Sequence, residues 1–178
     1  MTAHNMEGEM QGNLPEIPDY LKEILSSGEI EDEISIDREG NWFHNREPFT
    51  NKKIIDFFNS SVNRTEQGTY VIAYDTYVYP IDVEDTAIFV TGVRIEGFGP
   101  FETISLNLST GETEDLDHRT LYYRDNNALY CMVRNGSMPA KFRRSPSFHI
   151  LERLEERDGN YFLSICGERI LLEMRTTE

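Results

Sequence analysis

Residues 42–74 read WFHNREPFTNKKIIDFFNSSVNRTEQGTYVIAY, and residues 129–165 read LYCMVRNGSMPAKFRRSPSFHILERLEERDGNYFLSI. Each runs strand, turn, capped helix, Gly turn and Tyr-led strand. In the first, Trp42-Phe43-His44 enters Asn45-Arg46 and a helix carrying Ile54, Ile55, Phe58 and Val62 follows; 66–69 then turns into Tyr70-Val71-Ile72. In the second, Tyr130 to Val133 enters Asn135-Gly136, a helix carries Phe148, Ile150, Leu151 and Leu154, and Asp158-Gly159 turns into Tyr161-Phe162-Leu163. The order predicts an internal duplication. Interfaces between similar units are favoured ligand sites.

Working outward, Leu21, Ile24 and Leu25 put one apolar stripe on a short helix after Pro18. Residues 1–13 read as a disordered tail, and 28–33 as an acidic linker. Thr50 suits the N-cap of the first long helix, and Ser145 before Pro146 suits the second. The alternation of Tyr70, Ile72 and Tyr74, then Tyr77, Tyr79 and Ile81, predicts two strands with one face in the core. Pro80 belongs at a strand edge or a bulge. From Ala87 the chain is mostly strand, reversing at 97–100, 109–112 and 125–127. The fold class is α+β: two similar small β-rich units, 14–85 and 86–178, each with one main helix on an antiparallel sheet.

The chain has 178 residues and a formal net charge of -15. That charge argues against wrapping a long nucleic acid. No apolar run approaches the ~20 residues of a membrane span, and the N-terminus lacks a signal-peptide core, which predicts a cytoplasmic protein. Cys131 and Cys166 read as reduced thiols. The first 85 residues hold 18 acids against 6 Lys and Arg, whereas 126–151 contain no acid but include Arg134, Lys141, Arg143 and Arg144. That window gives an anion its one positive local field. The cations before the second helix add to the positive end of its dipole. The same cations could instead pair with acids of the other half.

No Cys/His zinc spacing, phosphate loop, nucleophile elbow or calcium loop is present, so no metal or cofactor is expected. Trp42 and His44 share a strand face and form either a planar-ligand surface or core plus rim. The ligand-binding set predicted from the residues is Trp42, His44, Arg134, Lys141, Arg143 and Arg144, with no catalytic residue. Two alternatives stand beside it. One is an acidic adaptor docking a basic protein. The other is a hydrolase using His44 with Glu47 or Asp85.

From Ile34 to Glu173 the chain resembles the bacterial domain-of-unknown-function family 1285. The carrying residues are 37–44, Pro48-Phe49-Thr50, Asp56-Phe57-Phe58, Gly68-Thr69-Tyr70 and Ile81 to Asp85 in the first half. In the second they are Val133 to Gly136 and Phe148 to Leu151. The chain departs from that pattern at Ala73 to Tyr77, where tyrosines replace a basic residue. The resemblance implies a duplicated core with a pleckstrin-homology-like C-terminal half. It also implies a signalling or regulatory role, with a nucleotide-like ligand between the halves.

Overall fold

Leu21 and Leu25, one helical turn apart, bury the inner face of α1 (Asp19–Ser26), the helix expected after Pro18. The structure is a computed structural model and describes residues 17–27 and 32–176. The expected N-terminal tail and most of the acidic linker therefore lie outside the described residues.

The first unit holds a four-stranded sheet. β1 (Ile34–Ile36) pairs antiparallel with β2 (Trp42–His44), and β2 pairs with β3 (Glu47–Pro48). Helix α2 (Lys52–Ser61) follows and buries Ile54, Phe57 and Phe58. Its N-cap is Asn51, not Thr50: the Asn51 carboxamide accepts the Lys53 N–H at 2.9 Å, satisfying a donor the first turn leaves free. Val62, expected on this helix, is instead the first residue of β4 (Val62–Arg64). β4, β5 (Tyr70–Tyr74) and β6 (Tyr77–Pro80) make a three-stranded sheet that places Pro80 on its edge. Tyr79 is buried as expected, but Tyr77 is exposed. β7 (Asp82–Val83) then returns to lie parallel with β1.

The second unit begins with β8 (Ile88–Glu96), β9 (Thr103–Leu108) and β10 (Thr113–Asp115). β11 (Tyr122–Tyr123), β12 (Leu129–Val133) and β13 (Met138–Phe142) come next, and β13 pairs parallel with β8 to extend the sheet. α3 (Arg144–Leu151) packs on β8. Its boundary residue is Arg143, not Ser145, and Pro146 is its third residue. A proline is tolerated there because the first-turn N–H groups have no intrahelical acceptor. Phe148, expected on its apolar stripe, is exposed, and Ile150 is buried. β14 (Leu154–Arg157), β15 (Asn160–Ile165) and β16 (Glu168–Leu171) form another three-stranded sheet, and β17 (Glu173–Met174) returns parallel to β11.

The mixed α+β architecture thus repeats one pattern of pairing. The order β3-β2-β1-β7 in the first unit matches β13-β12-β11-β17 in the second, and β4-β5-β6 matches β14-β15-β16. The turns correspond too. Asn45 and Arg46 after β2, and Arg134 to Gly136 after β12, all have positive φ. The β8-β9-β10 hairpins are the addition that makes the second sheet seven-stranded. One buried apolar cluster runs from Ile17 through Trp42, Phe58, Ile88 and Leu129 to Leu172.

Phe58 is fully buried, with ring centroids 5.0 Å from both Trp42 and Phe49. Phe58→Ala should cost about 3–5 kcal/mol of unfolding free energy, read as a lower denaturant midpoint at unchanged slope.

Candidate functional site

The parallel return of β7 to β1 delivers Val83-Glu84-Asp85 to the point where the two units meet. The Glu84 N–H donates to Ile36 O at 3.1 Å, which fixes the backbone just before Asp85. The Asp85 side chain is 7% exposed. Its Oδ1 accepts from Arg124 Nη1 at 2.6 Å, and its Oδ2 accepts from the Tyr130 hydroxyl at 2.7 Å and lies 3.0 Å from Lys141 Nζ. Lys141 also donates to Arg38 O at 2.9 Å, in the 37–40 turn of the first unit.

Strand register explains the convergence. β11 and β12 put Tyr122 opposite Tyr130, and β13 puts Lys141 opposite Tyr130. The two tyrosine rings stack at 5.4 Å and 17°. Arg124, just past β11, lies 4.4 Å over Tyr130 and 5.7 Å over Tyr122, and Arg175 lies 4.4 Å over Tyr122. From the first unit, Arg64 lies 5.3 Å over Tyr70, whose hydroxyl is within the fields of Arg64, Arg124 and Asp85.

The charge at this junction does not balance. One carboxylate faces two cations that are both largely buried, Arg124 and Lys141. Arg124 Nε is buried without a hydrogen-bond partner, and among the described residues neither Arg64 nor Arg175 makes an ion pair. Such an excess of positive charge beside aromatic faces suits an anion with a planar part.

The six residues predicted as a site do not converge. Trp42 is 1% exposed, and its indole N–H donates to Asn59 Oδ1 at 2.9 Å. His44 Nε2 lies 2.9 Å from Asp32 Oδ1, and its ring stacks on Phe49 at 5.9 Å. Its carboxylate partner is Asp32, not Glu47 or Asp85; His44 and Asn45 together hold the Asp32 carboxyl below its ordinary range, Asn45 contributing most. Arg134 pairs with Glu112 at 3.0 Å and donates to Val62 O at 2.8 Å. Arg143 lies 4.8 Å over Phe89, and Arg144 is exposed on the first turn of α3. Only Lys141 belongs to the Asp85 junction. Sequence reading missed Arg124, Tyr122, Tyr130 and Arg175, although Val83-Glu84-Asp85 already stood out within the resemblance.

Among the described residues no group of His, Cys, Asp and Glu could hold a metal ion, and no helix is long and apolar enough to cross a membrane. No protein-family model and no curated protein matches the chain. Two solved structures do. A DUF1285 family protein from Silicibacter pomeroyi DSS-3 superposes with a TM-score of 0.64 at 20% identity, covering 79% of each chain. Another from Shewanella baltica OS155 gives a TM-score of 0.53 at 17% identity, covering 68% of this chain and 92% of that one. The chain has the fold of the DUF1285 family proteins, as its sequence resemblance implied.

Burial pushes the Tyr130 hydroxyl up to about 12, with Asp85 adding to the effect against the Asn126 hydrogen bond. Burial likewise pushes the neighbouring Cys131 thiol up to about 12. Both groups keep their protons in the fold at pH values where the unfolded chain loses them. Their contribution is intact at neutral pH and is lost as pH rises from about 9 toward about 12. The denaturant midpoint should therefore fall across that window, and Cys131 should resist thiol reagents until the chain unfolds.

Proposed function

We propose that this chain is a non-catalytic ligand-binding module with a regulatory role. A small anionic, nucleotide-like molecule would sit at the junction of the two units. The observation that carries this reading is the uncompensated positive charge around Asp85: Arg124 and Lys141 share one carboxylate, and Arg64 and Arg175 flank them from opposite units. The half-buried Tyr70 ring offers an aromatic surface for the planar part, and the cations meet the phosphate or carboxylate.

A ligand bound only by the folded chain raises its stability, by about 2.7 kcal/mol at a hundred times Kd. A panel of inorganic phosphate and nucleotides should therefore raise the melting temperature. The shift should shrink in Arg64→Ala and in Arg175→Ala, both of which have exposed side chains whose loss leaves the core intact. A panel with no shift, or a shift unchanged in both variants, contradicts the reading.

A second reading, an acidic adaptor for a basic protein, is favoured by a different surface. Glu33, Asp37, Glu39 and Glu84 line an open depression of about 500 Å³ with Phe43, Arg38 and Arg46. Association led by those acids should weaken as salt rises toward the molar range.

A further inference from the structure

β17 is an outer strand of the seven-stranded sheet, and it pairs with β11 over only two positions, Tyr122 with Glu173 and Tyr123 with Met174. One further backbone bond follows, from the Arg175 N–H to Tyr123 O at 2.8 Å. Glu173, Met174 and Arg175 are all exposed, Met174 at 56%. What they cover is buried. Tyr122 is 3% exposed, with Tyr130 stacked on it at 5.4 Å and the Arg175 guanidinium 4.4 Å from its ring centre.

The first unit shows the same return in a fastened form. β7 pairs parallel with β1 at Ser35–Asp82 and Ile36–Val83, and the Glu84 N–H donates to Ile36 O, as that of Arg175 does to Tyr123 O. Glu84 and Arg175 are therefore equivalent positions. After Glu84 the chain enters the ion pairs of Asp85, which lock that return in place. After Met174 there is no such lock: among the described residues, the side chains of 173–176 make no ion pair and no hydrogen bond. The firm anchor lies just before, at Leu172, which is 5% exposed and whose N–H donates to Tyr161 O at 2.8 Å. A segment with exposed side chains and few backbone bonds opens locally, at far lower free energy than the core.

Charge gives that opening a consequence. Arg124 and Arg175 both lie over Tyr122, at 5.7 and 4.4 Å, and Arg175 has no acid partner among the described residues. Two like charges this close favour the open segment in the free chain, and an anion between them reverses the sign.

We infer, on the reading of the junction as the ligand site, that residues 173–175 are a strap hinged at Leu172. The strap opens to admit the anion and closes on it through Arg175. Only the closed state sets Arg175 beside Arg124, so the anion binds that state more tightly and shifts the population toward it.

Amide exchange followed by NMR on the full chain tests both the opening and the closing. In the free chain the Arg175 N–H should exchange at least about 100-fold faster than the slowest amides of β12 and β13, because it needs only local opening. Adenosine monophosphate, at a concentration that raises the melting temperature, should slow the Arg175 N–H about tenfold and leave the Phe101 N–H unchanged. In Arg175→Gln, which keeps the backbone bond and loses the charge, that slowing should disappear. An Arg175 N–H as protected in the free chain as those of β12 overturns the strap. So does a nucleotide that raises the melting temperature but leaves the Arg175 N–H unmoved, or one that slows residue 175 equally in Arg175→Gln. A nucleotide that leaves the melting temperature unchanged contradicts the ligand reading itself, and the closing step falls with it.

Discussion

The Asp85 carboxylate is the buried charge at which the two halves of this fold meet. It ends the segment that β7 aligns against β1, and it receives Arg124, Tyr130 and Lys141 from the second unit. Burying a charge is costly unless it is paired and hydrogen-bonded. Here the three donors offset that cost, and they also fix the β11–β12 hairpin and β13 relative to the first unit. Lys141 extends the connection to the 37–40 turn through Arg38 O. The tyrosine stack and the arginines around it follow from that arrangement.

The repeated pairing order gives the two units similar frames, but their contents differ. The first packs Trp42, Phe49, Phe57 and Phe58 into an aromatic core between β2 and α2. The second uses the equivalent strands to present Tyr122, Tyr130 and Lys141 at the junction, and it adds β8, β9 and β10. The junction where they meet is asymmetric by construction: the first unit brings Asp85 and Arg64, and the second brings Arg124, Lys141 and Arg175.

Local patterns made much of the fold legible. Leu21 and Leu25 marked α1, and the Gly-containing turns marked the hairpins. Helix starts slipped by one or two residues, because several side chains near a helix start can cap it and the proline was tolerated inside the first turn. The junction was not legible for a different reason. Asp85 and Arg124 are 39 residues apart, and Lys141 and Arg38 are 103 apart. No periodicity encodes such pairs. The acid-free window misled in the same way: Arg134 and Lys141 find their acids, Glu112 and Asp85, outside it. Arg124 lay just before Asp125 and so fell outside the window, although its Nε is buried without a hydrogen-bond partner.

The most direct test of the junction is the unfolding of Asp85→Asn, followed by the fluorescence of the single tryptophan, Trp42, in the first unit and by thiol exposure of Cys131 in the second. Removing the carboxylate leaves Arg124 and Lys141 buried without a counter-charge, which should lower stability by about 3–5 kcal/mol. Both probes should move to lower denaturant than in the parent chain. Midpoints that stay at the parent value for both probes would contradict the claim that the buried Asp85 charge stabilises the junction.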